Sequence, residues 1–116
     1  MGISIGGGAF GGGAGGVGGG GVGGSGAIKT VVADYPVIGT DYCVLVDATA
    51  GAVIVTLPAA PATGQECAVK KIDSTANTVT IARGGTSKID GATTLVFATQ
   101  YSSYFVIYDG TDWNVL

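Results

Sequence analysis

The chain has 116 residues, of which 23 are glycine and only 13 are charged, with a net charge of −3 and no histidine. One domain is what this length allows, and the lysines and arginine form no basic cluster beyond Lys70 and Lys71, which excludes the electrostatic footprint of a nucleic-acid binder. No run of about 18 apolar residues offers a membrane-crossing helix, and the missing histidine removes the commonest general base and the Ser/His and Cys/His nucleophile pairs.

The first 26 residues are nearly without side chains: sixteen of the 23 glycines lie here, most of them in "GGGAFGGGAGGVGGGGVGGSG", Gly6 to Gly26. The tract contains a formal G-x-G-x-x-G at Gly6, Gly8 and Gly11, but it lacks the preceding strand and following helix that a dinucleotide site requires. No Gly-Lys-Ser/Thr follows for a phosphate loop. Ordering each of these residues costs about 1–2 kcal/mol of backbone entropy or more. The tract is therefore expected to act as an assembly or attachment segment, held by sister chains or by a groove in another protein, with Ile3, Ile5, Phe10, Val17 and Val22 as apolar pegs. The start has no basic region followed by a continuous apolar stretch, so it does not read as a secretion signal, and synthesis and retention in a cytoplasm is the expectation.

From Ala27 to Leu116 short apolar-alternating runs are separated by turn residues, the pattern of an all-β domain. Thirteen threonines suit a half-buried pleated surface. The spacing predicts strands at Ile28–Ala33, Tyr42–Asp47, Ala52–Leu57, Glu66–Ile72, Thr78–Ala82, Thr93–Ala98, Tyr104–Tyr108 and Trp113–Leu116. Eight such strands predict a small antiparallel β-sandwich or barrel-like domain over residues 27–116, preceded by the extended glycine-rich segment 1–26. Pro58, Pro61 and Gly64 close the third strand, Asp73 to Thr78 forms capped turns, and Asp109-Gly110 joins the last two strands in a hairpin. The stretch "ARGGTSKIDGATT" reads as a loop with a brief extended segment in it.

Alternation points Val53, Val55 and Leu57 inward, and likewise Val79 and Ile81, with Thr78 and Thr80 outward. In "YFVIYD" both faces are apolar: Tyr104, Val106 and Tyr108 share one, Phe105 and Ile107 the other. In so small a domain this predicts either a face that meets another subunit or an ordinary two-layer core edged by tyrosines.

Chemistry-bearing groups are few. The acids Asp34, Asp41, Asp47, Glu66, Asp73, Asp90, Asp109 and Asp112 mostly flank turns, where aspartate caps backbone N–H groups, so no catalytic residue, metal site or cofactor is expected. Cys43 and Cys67 have no metal-ligand spacing; they read as two buried thiols on neighbouring strands or as a disulfide. Tyr101, Tyr104, Tyr108 and Trp113 near the C-terminus could form an aromatic contact surface, with Tyr101, Tyr104 and Trp113 the candidates for a surface or receptor contact. The alternative makes Trp113 a core plug that closes the last hairpin.

The segments "LPAAPATGQECAVKKIDSTANTVTIA", "KIDGATTL" and "YFVIYDGTDWNVL" together resemble a small β module found at the C-termini of bacteriophage tail fibres and related virion fibre proteins. The likeness spans about Tyr35 to Leu116. It implies a nonenzymatic homotrimeric module exposed on a virion that is assembled in the host cytoplasm, joined to other virion structural proteins and often in contact with a host cell-surface glycan. The chain departs from that family in having only the glycine tract where a long shaft and attachment domain normally precede the module. A capsid decoration or head-fibre protein is the neighbouring alternative, and a lectin-like glycan-binding protein the alternative of another class.

Overall fold

Alternating β-branched and aromatic residues favour a pleated backbone whose successive side chains point to opposite faces. In the computed structural model, which describes residues 26–116, every regular element is a strand. In chain order these are β1 (Ala27–Val31), β2 (Tyr35–Pro36), β3 (Asp41–Val46), β4 (Val53–Thr56), β5 (Glu66–Lys71), β6 (Val79–Ala82), β7 (Thr94–Phe97), β8 (Ser103–Tyr108) and β9 (Trp113–Val115). All eight expected strands are present with ends shifted by a residue or two. The unexpected one is β2, whose Pro36 is tolerated because the strand lies at a sheet edge.

The strands form a five-stranded sheet in the order β9-β8-β5-β3-β1 and a four-stranded sheet in the order β2-β4-β6-β7. The expected all-antiparallel pairing is corrected here. β1 with β3, β3 with β5, β2 with β4 and β4 with β6 are parallel, while β6 with β7, β5 with β8 and β8 with β9 are antiparallel. Through β6 the chain lays down one strand in one sheet, crosses to the other, and returns to stack beside its predecessor, so β1–β2, β3–β4 and β5–β6 are three turns of a coil. Parallel neighbours need a long crossover, and here that crossover is a strand of the opposite sheet. After β6 the direction reverses, and β7, β8 and β9 close the coil as antiparallel neighbours.

The two inner faces share one core. Val44, Val46, Val53, Val55, Leu57, Cys67, Val69, Val79, Ile81, Val106 and Trp113 are all buried, as the alternation of the sequence requires. Burial of each Val, Leu or Ile side chain contributes about 1.5–3 kcal/mol. Two backbone details hold the reversal in place. Gly84 and Gly85 lie flat against the Leu57–Ala59 backbone, where a Cβ on Gly84 would stand 1.9 Å from the Leu57 carbonyl oxygen. Further on, Asp90 and Gly91 have φ of 47° and 83°, and Ile89 and Ala92 exchange backbone hydrogen bonds of 2.8 and 2.9 Å across them. This is the two-residue turn that Asp-Gly favours, and it seats Ile89 in the core beside Trp113.

Candidate assembly surface

A carboxylate with no partner invites chemistry, and the aspartates here have partners. Each of the seven accepts a hydrogen bond from a backbone N–H: Asp34 from Ile54, Asp41 from Ile38, Asp47 from Thr49, Asp73 from Ala48 and Thr75, Asp90 from Val115, Asp109 from Thr111 and Asp112, and Asp112 from Lys88. These bonds hold turns and corners, the role that turn-flanking aspartates ordinarily have. Asp109 is accordingly lowered from the usual carboxylate range, first by its backbone bond in the Asp109–Asp112 turn and then by Asn114. Among the described residues no group of three or more Cys, Asp or Glu side chains is arranged to hold a metal ion.

Two lysines occupy core-side positions of their strands, Lys71 fully buried and Lys29 with its side chain 41% exposed. Lys71, fully buried at the end of β5, donates from Nζ to Asp73 Oδ2 at 2.7 Å, to the Asp73 carbonyl at 3.1 Å and to the Thr75 carbonyl at 2.7 Å. Burial by itself would raise the Asp73 carboxyl, but the Lys71 ammonium, the Thr75 hydroxyl and the backbone N–H groups of Ala48 and Thr75 hold it well below the usual range. Asn77 completes the cluster by donating to the Ala48 carbonyl at 2.8 Å, so successive corners of the coil are bound to one another. In the first turn, Lys29 lies 3.2 Å from Asp41 Oδ1 and donates to Tyr35 Oη at 3.2 Å, and the Tyr35 hydroxyl donates to Asp41 Oδ2 at 2.6 Å. Burial pushes Asp41 up, yet Tyr35, the Ile38 N–H and Lys29 together leave it below its ordinary value. Neither cluster was anticipated; the signal was an acid two residues after "VKK", on an alternation that must turn one of its lysines inward.

The predicted aromatic surface is dispersed. Tyr101 is 63% exposed, at φ 67°, with its ring 5.5 Å from Lys70 Nζ. Tyr104 is half-buried against Phe97, with ring centroids 5.0 Å apart. Trp113 is 1% exposed and packs on Tyr108 at 5.3 Å, which corrects the reading of its ring as a surface contact: it is the core plug of the last hairpin, because its position on β9 alternates inward with Val115. Cys43 and Cys67 are free thiols on the adjacent strands β3 and β5. They point to opposite faces, since Cys67 lines up with the buried Val69 and Cys43 alternates with the buried Val44. Burial pushes the Cys67 thiol up to about 12. The expected pegs Ile3, Ile5, Phe10, Val17 and Val22 lie outside the described residues.

One feature spans several elements. On the outer face of the five-stranded sheet the register aligns Ile28, Cys43, Ala68 and Phe105 in one row across β1, β3, β5 and β8. The row ends at Leu116, whose N–H bonds to the Phe105 carbonyl at 2.9 Å. Ile28 is 66% and Leu116 73% exposed, and Leu45 and Ile107 flank the row on the same face. This is the second apolar face expected from "YFVIYD", extended over the whole sheet. On the central strand the row is bracketed by Glu66 on one side and Lys70 on the other. Comparison of the chain with protein-family models gives no match, and comparison with curated proteins gives none.

Proposed function

We propose that this chain is a structural protein of a bacteriophage virion, a subunit of a short tail fibre or fibre-like appendage, attached through residues 1–26 and presenting its β domain outward as a homotrimer. What supports the reading is the likeness to the fibre module, whose segments fall on well-defined strands and turns of this fold. Leu57-Pro58 follows a strand, Gly64 turns at φ 89°, "VKK" lies on β5 and "TVTI" leads into and along β6. Asp90-Gly91 makes its tight turn, and "YFVIYDGTDWNV" forms the β8–β9 hairpin with Trp113 inside. Binding and assembly rather than catalysis fits aspartates that cap backbone and exposed apolar side chains such as Ile28, Val32, Ile38, Val96 and Leu116. Host contact would then fall to exposed residues such as Tyr101, with Trp113 no part of it.

The test is immunogold electron microscopy of purified particles of the phage that encodes the chain. Label on the tail or its appendages is expected. Label on the capsid would transfer the protein to the decoration class, and particles free of the chain by mass spectrometry would overturn the reading.

A further inference from the structure

The outer row of the five-stranded sheet lies on the face turned away from the core, and its chemistry says what covers it. We propose that copies of this chain associate through this face, about an axis parallel to the row Ile28–Cys43–Ala68–Phe105–Leu116. The residues on the strand that crosses the centre of the sheet select that axis. Glu66, Ala68 and Lys70 point outward in succession, and four residues of strand place the two charges about 13 Å apart, too far to pair within one copy. Among the described residues neither belongs to an ion pair.

Rotation about an axis along the row keeps each strand level with its own counterpart and reverses left and right across the row. Glu66 of one copy therefore meets Lys70 of the next at the same height, with Ala68 between them. Rotation about an axis along the strands would instead set Glu66 against Glu66 and Lys70 against Lys70, and like charges across an interface cost several kcal/mol. The charge pattern is self-complementary for the first arrangement and repulsive for the second.

The area suffices. Five strands at about 4.8 Å and strands of about 20 Å give a face of roughly 24 by 20 Å. Two such faces meeting as a pair cover about 1,000 Å² together, the lower end of specific interfaces, and three turned to one axis bring together about 1,400 Å². Apolar residues on the row and Leu45 and Ile107 beside it form the centre, with the two charges at its rim, the layout of a stable interface. Packing of this face requires no change in the coil, because its side chains point away from the core and the ladder hydrogen bonds lie in the plane of the sheet. The face stands independently of the fibre reading; only the number three rests on that reading.

Sedimentation velocity of the full chain measures both. A trimer is expected, and Ala68→Arg, which puts a long cation into the centre, is expected to weaken association at least about 100-fold. Glu66→Lys and Lys70→Glu are each expected to weaken it about tenfold, and the double reversal to restore it within about threefold. Circular dichroism checks that each variant keeps its strands; because all three positions face away from the core, folding is expected to be unaffected. A dimer that shows the same charge-reversal rescue supports the face and overturns the trimer. A trimer indifferent to Ala68→Arg and to both reversals overturns the face and leaves the fibre reading standing. A monomer overturns the face, and a monomer in which Cys43 resists iodoacetamide assigns the covering role to residues 1–25 of the same chain.

Discussion

Replacing Gly84 with alanine probes the contact that turns the coil back on itself. The added methyl would stand 1.9 Å from the Leu57 carbonyl oxygen and 3.0 Å from the Ala59 nitrogen. Both neighbours are backbone, so no flexible side chain can swing away, and the loop must separate from the corner by about 1.5 Å to reach an ordinary contact. That movement pulls on two backbone hydrogen bonds, Leu57 N–H to the Ala82 carbonyl at 2.8 Å and Arg83 N–H to the Thr93 carbonyl at 3.2 Å. It also unseats Leu57, which is buried. Two weakened hydrogen bonds at about 0.5–1.5 kcal/mol each, with overpacking at about 1–3 kcal/mol, put the loss at about 2–6 kcal/mol. Against the roughly 5–15 kcal/mol that holds an ordinary domain together, that is a large share. Urea unfolding followed through Trp113, the single tryptophan, reads it directly. With a slope of about 1.5 kcal/mol per M, the midpoint falls by about 1.3 M or more. Gly39→Ala is the control, since nothing lies within 4 Å of its would-be Cβ, and it is expected to stay within about 0.5 kcal/mol of the parent. If Gly84→Ala unfolds within about 0.3 M of the parent, the close approach does not require glycine and the reasoning fails.

Trp113→Ala is expected to cost about 3–5 kcal/mol in the same kind of unfolding measurement, read by circular dichroism, because a fully buried ring leaves a cavity. Because the folded fold lowers the Asp73 and Asp41 carboxyls, their contribution is present above the ordinary aspartate pKa and is lost as pH falls through the folded one. The urea midpoint should therefore hold steady from pH 7 to about 5 and drop below about 4, with a shallower drop in Asp73→Asn. For Cys67 the sign is reversed: its raised pKa contributes stability below about pH 9 that is lost as pH rises towards about 12. In Cys43→Ser, iodoacetamide at pH 8 should modify Cys67 only as fast as the chain unfolds, as followed by mass spectrometry. Gly91→Ala should lower stability by about 1–2 kcal/mol, since its φ of 83° is left-handed backbone that a Cβ opposes.

Strands were legible in the sequence because alternation is a local property. Val53, Val55 and Leu57, or Val79 and Ile81, fall inward wherever their strand pairs, and the structure buries all of them. Which strand is whose neighbour is not local. Val-Ile-Val-Thr reads the same in a hairpin and in a coil, so alternation predicts an antiparallel sandwich where the structure has three parallel turns. A clue was nonetheless present: the Asp-Gly pairs at Asp90-Gly91 and Asp109-Gly110 both follow Ala82, in the part of the chain where the antiparallel strands lie. Before it stand Asp34, Pro58 and Asp73, residues of corners that carry the chain between sheets. The same limit hid the outer row, since Ile28, Cys43, Ala68 and Phe105 are far apart in sequence and become one stripe only through the register of four strands. The Phe105 and Ile107 pair hinted at it. The inward lysines were hidden because burial of an ammonium depends on acceptors that the fold brings to it, as it brings Asp73 and Thr75 to Lys71.

The cluster of Lys29, Tyr35 and Asp41 bears on a hazard of coiled sheets. Among the described residues, β1 and β2 each have a strand on one side only, and a bare edge of a repetitive sheet can template one more layer from any passing extended chain, turn upon turn, into a filament. At that first turn Lys29, its side chain 41% exposed, pairs with the buried Asp41 carboxylate, and a further layer would have to strip that ammonium of water. Among the described residues the coil therefore ends on a charged pair that any added strand would have to dehydrate.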